Sequence, residues 1–267
     1  FDKCHFDGNK SSARGAGLWV AGTLPVFLNA CTFKNNTLAG TQGTGSTIAM
    51  VAASANTSGM LAMNNCTVSG GKFELNDKKD VSGHVYLRGV SIVANSTILG
   101  DGTVASLSYI TNPKWGDISG SILVNNIICS EYIPTIDGAT YFSPLYVKYE
   151  GTVTAINGYY NLYQEKGGGY IQKYISKNDS AICKAWSDFN FTEYNYGTTD
   201  KPNYLFDYSI PAGSTVAKVP TVDEVATAIK SQTTARKSGY VFGTMFYNWL
   251  TSIGAADKDA RSMARTT

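Results

Sequence analysis

The sequence predicts an all-β protein wound as a parallel β-helix, a solenoid with irregular loops between its coils and one short C-terminal helix. Three observations carry this. A short motif returns several times along the first two thirds of the chain. Within each copy the apolar residues follow strand periodicity broken by a single corner. The composition is poor in charge, at 16%, and includes 27 Gly, which suits an extracellular β-rich protein better than a helical one.

The motif is clearest at Leu28-Asn29-Ala30-Cys31-Thr32-Phe33-Lys34-Asn35-Asn36. Leu28, Cys31 and Phe33 align with Met63, Cys66 and Val68, with Val93, Ser96 and Ile98, and with Val124, Ile127 and Cys129, while Phe1, Cys4 and Phe6 extend the series backward. The steps between copies are 27, 35, 30 and 31 residues, too irregular for an array of helical pairs but compatible with stacked turns whose loops vary. The last two apolar positions of a copy are two apart, the strand period. The first lies three back across a polar pair, and that odd step marks a corner. Asn29-Ala30, Asn64-Asn65, Ala94-Asn95 and Asn125-Asn126 fill it; asparagine bonds to nearby backbone and tolerates left-handed dihedrals. Stacked parallel coils place each residue about 4.8 Å from its equivalent in the next turn, so each column becomes a ladder of like side chains. A β-sandwich, the all-β alternative, needs antiparallel hairpins with tight turns, and the copies do not pair that way.

In chain order, Phe1 opens in the middle of a copy. A processed or truncated product is expected, with a partner or missing coils over the N-terminal end, because bare strand edges are a liability. Of the five cysteines, Cys4, Cys31 and Cys66 share one column. Parallel Cβ vectors suit a disulfide poorly, so a ladder of buried thiols is expected; a metal site is the alternative, against which stand the lack of Cys-x-x-Cys and the presence of only two His. Polar segments Thr37 to Ser46, Lys72 to Ser82 and Gly102 to Gly120 read as projecting loops. The last carries Trp115 between Lys114 and Asp117, an aromatic placed either to stack on a sugar or to pack on the coil.

From Tyr132 to Tyr208 the chain concentrates 13 of its 17 tyrosines, with Trp186 beside them. Tyrosine joins a flat apolar face to a polar handle, as glycan-binding and protein-binding surfaces do, although it also serves as filler in wide coils. The candidate ligand-binding residues are therefore Trp115, Tyr141, Tyr146, Tyr149, Tyr170, Tyr174 and Trp186. Ile156-Asn157-Gly158-Tyr159-Tyr160-Asn161 is the last recognisable copy, and Gly167-Gly168-Gly169 reads as a wide turn rather than a phosphate loop. This divides the chain into coils over 1–165 and an aromatic-rich continuation and cap over 166–267. Thr221 and Glu224 have capping-box spacing, and Val222, Val225, Ala226 and Ile229 share a face, which predicts a helix near 222–232. Phe242 to Ile253 is expected to cover the end of the core, anchored by Trp249.

The repeated Asn-x-Cys-Thr-Phe-x-Asn-Asn pattern, with Val124-Asn125-Asn126-Ile127-Ile128, resembles right-handed parallel β-helix proteins of the pectin-lyase-like superfamily, especially secreted or surface members from gut Bacteroidetes. The segment Asp257-Lys258-Asp259-Ala260-Arg261-Ser262-Met263-Ala264-Arg265 is similar to their Asp-x-Arg-Gly-x-x-Arg ending, with Ser262 in the place of Gly. The resemblance implies a right-handed coil and an extracellular or bacterial cell-surface location. Many members cleave polysaccharides, but the paired-carboxylate motifs of the hydrolases are missing, and Gly83-His84-Val85 is the nearest approach to their Gly-His-Gly. A lyase needs Ca²⁺ on clustered acids and a basic residue; Asp101, Asp117 and Asp137, with Arg88, Lys114 and Lys148, are the residues such an enzyme would use.

Two functions follow. The first is a non-catalytic extracellular protein, without cofactor, that binds a polysaccharide or a surface protein through aromatic-rich loops. The second is a polysaccharide-degrading enzyme, a Ca²⁺-dependent uronate lyase before a glycoside hydrolase. A net charge of +2 with no basic block argues against nucleic acid, and no apolar run reaches the roughly 18 to 20 residues of a membrane span. Asp179-Ser180-Ala181 resembles an O-glycosylation acceptor of Bacteroidetes, centred on Ser180.

Overall fold

The computed structural model describes residues 1–40, 44–51, 59–74, 83–100, 104–111, 118–130, 145–149, 156–164, 220–235 and 239–258, with strand backbone at 135–136, 139–140, 175–176, 181–183, 190–195 and 204–209. The first repeat comprises β1 (His5–Asp7), β2 (Lys10–Ser11), β3 (Leu18–Ala21) and β4 (Pro25–Asn29). The second comprises β5 (Thr32–Lys34), β6 (Thr37–Leu38), β7 (Ile48–Val51) and β8 (Gly59–Asn64), and the third β9 (Thr67–Ser69), β10 (Lys72–Phe73), β11 (Val85–Leu87) and β12 (Gly89–Ala94). Then come β13 (Thr97–Leu99), β14 (Leu107–Thr111) and β15 (Ile122–Val124), followed by β16 (Ile127–Cys129), a hairpin of β17 (Thr135–Ile136) and β18 (Ala139–Thr140), β19 (Leu145–Tyr149) and β20 (Ile156–Tyr159). After these stand β21 (Leu162–Gln164), β22 (Ile175–Ser176), β23 (Ala181–Cys183), an antiparallel pair of β24 (Asn190–Asn195) and β25 (Tyr204–Ser209), and the helices α1 (Val222–Lys230) and α2 (Phe242–Ser252).

The described residues are mostly β, in parallel sheets, with two helices. Sheet I runs β4-β8-β12-β15-β20-β22, sheet II β1-β5-β9-β13-β16-β21-β23, sheet III β3-β7-β11-β14-β19 and sheet IV β2-β6-β10. Each strand lies parallel to its counterpart one repeat away. The parallel ladders continue past residue 165 to Cys183. Sheets III and IV were not legible as strand: β14 of sheet III lies inside the Gly102 to Gly120 segment read as a loop, and β6 and β10 of sheet IV begin the other two.

The corner between sheets I and II is set by one residue per repeat in the left-handed region. Lys3, Ala30, Asn65, Asn95, Asn125 and Tyr160 all have φ between 50° and 55°. Side-chain amides tie the corners together: Asn29 Nδ2 donates to Asp2 Oδ1 at 2.7 Å, Asn64 Nδ2 to Asn29 Oδ1 at 2.8 Å, Asn95 Nδ2 to Asn64 Oδ1 at 2.7 Å and Asn125 Nδ2 to Asn95 Oδ1 at 2.8 Å. The column Leu28, Met63, Val93 continues to Leu123, and Phe33, Val68, Ile98 to Ile128. The fourth copy in the sequence alignment is thus one residue late, because Val124-Asn125-Asn126-Ile127 imitates the apolar-Asn-Asn-apolar order of Met63 to Cys66. Asn126, not Ile127, stacks on Ser96, accepting from its N–H at 2.9 Å.

The interior is filled by the inward side chains of sheets I, II and III, among them Leu28, Phe33, Met50, Leu87, Tyr109 and Tyr163. Phe6 stacks on Phe33 with rings 4.5 Å apart and nearly parallel. A second apolar cluster lies on the outward face of sheet I, where Ala62, Ile92, Ile122 and Val124 meet Ile229 of α1 and Phe246 of α2. That arrangement corrects two expectations. There are two helices among the described residues, not one, and 242–253 covers the side of a sheet rather than the end of the core. The reason is the burial requirement: a sheet face carrying Ile and Val must meet another apolar surface, and the apolar stripes of the two helices supply it. Trp249 does act as an anchor, its ring 5.5 Å from that of Phe27. Helix α1 starts as expected, with Thr221 Oγ1 accepting from Glu224 N–H at 3.2 Å and Thr221 N–H donating to Glu224 Oε2 at 2.8 Å.

Candidate functional site

Sheet III positions the aromatic candidates that the structure describes. Its strands share an apolar-x-apolar triplet: Leu18-Trp19-Val20, Ile48-Ala49-Met50, Val85-Tyr86-Leu87, Leu107-Ser108-Tyr109 and Leu145-Tyr146-Val147. Strand alternation sends the flanking residues into the core and the central one outward. Register pairs Trp19 with Ala49, Ala49 with Tyr86, Tyr86 with Ser108 and Ser108 with Tyr146. One outward row therefore carries an aromatic ring on every second rung, about 9.6 Å apart along the sheet, with a small residue between. Ala49 and Ser108 leave room for their large neighbours, and Ser108 Oγ accepts from Gly83 N–H at 2.8 Å.

Exposure differs along the row. Trp19 is 52% exposed, Tyr86 is buried, and Tyr146 is half-buried against Val51, Tyr86 and Ile110. The Arg14 guanidinium sits 5.8 Å over the Trp19 ring, a cation–π contact that orients the indole. Trp19 is thus the open ring of the row, with a cation beside it, chemistry suited to stacking on a flat apolar face such as a sugar ring.

Of the nominated residues, the structure brings Tyr146 and Tyr149 onto β19, where Tyr149 pairs by backbone with Thr111. Trp115, Tyr141, Tyr170, Tyr174 and Trp186 lie outside the described residues, as do Ser180 and the lyase acids Asp101, Asp117 and Asp137. Sequence reasoning missed Trp19 and Tyr86. The signal was present in the triplets, an aromatic between two aliphatics, but Leu18-Trp19-Val20 and Val85-Tyr86-Leu87 lie outside the motif on which the copies align.

His84, the residue nearest to a hydrolase motif, is fully buried, with Nδ1 2.6 Å from Ser46 Oγ and its ring 5.6 Å from Phe73. It packs a corner beneath sheet III. Among the described residues no three of His, Cys, Asp and Glu converge to hold a metal, and no helix is long and apolar enough to cross a membrane. Two buried phenols face the interior: burial pushes Tyr109 and Tyr163 above the ordinary tyrosine range, and Tyr109 hydroxyl shares a 2.9 Å hydrogen bond with Ser91 Oγ. Compared with known proteins, the chain matches no family model, no curated protein and no solved structure.

Proposed function

We propose that the chain winds as a right-handed parallel β-helix of the pectin-lyase-like kind and works outside the cell or on its surface, as a non-catalytic protein that binds glycan through aromatic faces. The observation that carries the reading is the outward row of sheet III, where Trp19, Tyr86 and Tyr146 recur on alternate rungs. The cyclic passage through the sheets and the recurrent left-handed corner support the coil. Parallel stacking supplies a regular spacing that a chain of repeating sugars can match, and flat ring faces bind such a chain by stacking.

The test is affinity electrophoresis through gels containing neutral or uronic-acid polysaccharides, with Ca²⁺ present and reducing ends and unsaturated products followed in parallel. Retardation without product is expected, and Trp19→Ala should abolish most of it while leaving unfolding by urea within about 0.5 kcal/mol of the parent, as for an exposed side chain. Chelator-sensitive product formation would replace the binding role with the lyase. Retardation unchanged in Trp19→Ala and Tyr146→Ala would remove sheet III from the site.

A further inference from the structure

Cys4, Cys31 and Cys66 occupy one column, bracketed by the in-register pairs Asp2 with Asn29, Asn29 with Asn64, His5 with Thr32 and Thr32 with Thr67. All three are free thiols. Each Sγ rests against the carbonyl oxygen two residues before it, at 3.5 Å on Asp2, 3.4 Å on Asn29 and 3.3 Å on Asn64. The corner therefore presents the three sulfurs in the same way on successive repeats. Cys4 is half-buried, whereas Cys31 and Cys66 are closed off from solvent.

Side-by-side sulfurs on parallel Cβ vectors are ill placed for the near-perpendicular dihedral of a disulfide. The same disposition suits an ion that takes two sulfurs in a line. Two metal–thiolate bonds of about 2.3 Å each span about 4.6 Å, close to the roughly 4.8 Å between stacked rungs. We propose that Cys4 and Cys31 form a two-coordinate site for a soft monovalent d¹⁰ cation, copper(I) being the biological representative. Thiolates select such ions over hard or borderline ones. Binding replaces two S–H protons by two metal–sulfur bonds, releases both protons and leaves a complex of single negative charge, with no change of oxidation state.

Cys66 completes the arrangement without ligating. Its thiol lies one rung inward of Cys31, with Sγ 3.3 Å from the Asn64 carbonyl oxygen, and is closed off from solvent. Entry is through the half-buried Cys4 side.

The experiment titrates the reduced full chain, without oxygen, with copper(I) offered as its coloured bicinchoninate complex. Transfer of about one equivalent per chain, with loss of the colour, is expected. Cys4→Ala and Cys31→Ser should abolish the transfer, whereas Cys129→Ser, a buried thiol outside the column, should leave it intact. Cys4→Ala sits at a half-buried position, and an unchanged far-ultraviolet spectrum would certify its fold. No transfer to the parent, or equal transfer to Cys4→Ala and Cys31→Ser, overturns the site. Loss in Cys66→Ser with full transfer to Cys4→Ala also overturns it, by moving the ion one rung inward.

Discussion

Asn95 combines two demands on one residue, a φ of 52° and an amide that donates to Asn64 while accepting from Asn125. Valine there would meet left-handed strain and sever both amide links, at a cost of about 2 to 4 kcal/mol. Glycine removes the strain and loses only the links, at about 1 kcal/mol. Urea midpoints of the two variants separate the contributions, and equal losses would show that the dihedral is not the constraint. Tyr163 presents the opposite case, since its hydroxyl is fully buried and has no hydrogen-bond partner among the described residues. Tyr163→Phe should therefore stabilise the fold by about 1 kcal/mol. For both buried phenols the folded value is raised above the ordinary 10.0, so the folded state holds its proton more tightly. Their contribution is complete below about pH 10 and falls away as the pH rises through the raised values. Urea midpoints measured from neutral pH to about pH 11 should decline, and Tyr163→Phe should flatten the decline.

At the scale of the element, the helix pair closes the outward face of sheet I, and its stability is testable apart from the rest. Thr221→Ala removes the capping box and should cost about 1 kcal/mol, seen as faster hydrogen exchange confined to α1. Phe246→Ala should cost about 3 to 5 kcal/mol, because its ring fills the space between Phe27 and Trp249. Sheets I and II and α1 were legible in the sequence because each announces itself locally: an apolar residue, an asparagine corner and a second apolar stretch, or Thr-x-x-Glu before an apolar stripe. Sheet III was hidden because its strands stand among polar loops of unequal length, so no fixed spacing from Cys31 leads to Trp19, Tyr86 or Tyr109. Of the candidate site, Tyr146 and the backbone of Tyr149 could be placed on sheet III. The mistaken fourth alignment shows a related limit, since Asn125 and Asn126 are interchangeable to a pattern but not to a dihedral angle.

Across the whole molecule, each repeat is held mainly by the ones before and after it, the condition under which stability becomes a sum of neighbouring terms. Gly89 is a sensitive junction, with φ of 151° and no space for a side chain: a Cβ there would come 2.4 Å from the Gly59 carbonyl oxygen. Gly89→Ala should lower hydrogen-exchange protection in β8, β12 and β15 well before it affects β21. The corner column has one more effect. Equivalent residues in successive repeats are 27, 35, 30, 30 and 35 positions apart, yet every turn re-enters its sheet at the same left-handed residue. Length is thereby uncoupled from phase. A lineage carrying this architecture can lengthen, shorten or exchange the spans between strands, and so try out new surfaces, without rewriting the corner residues.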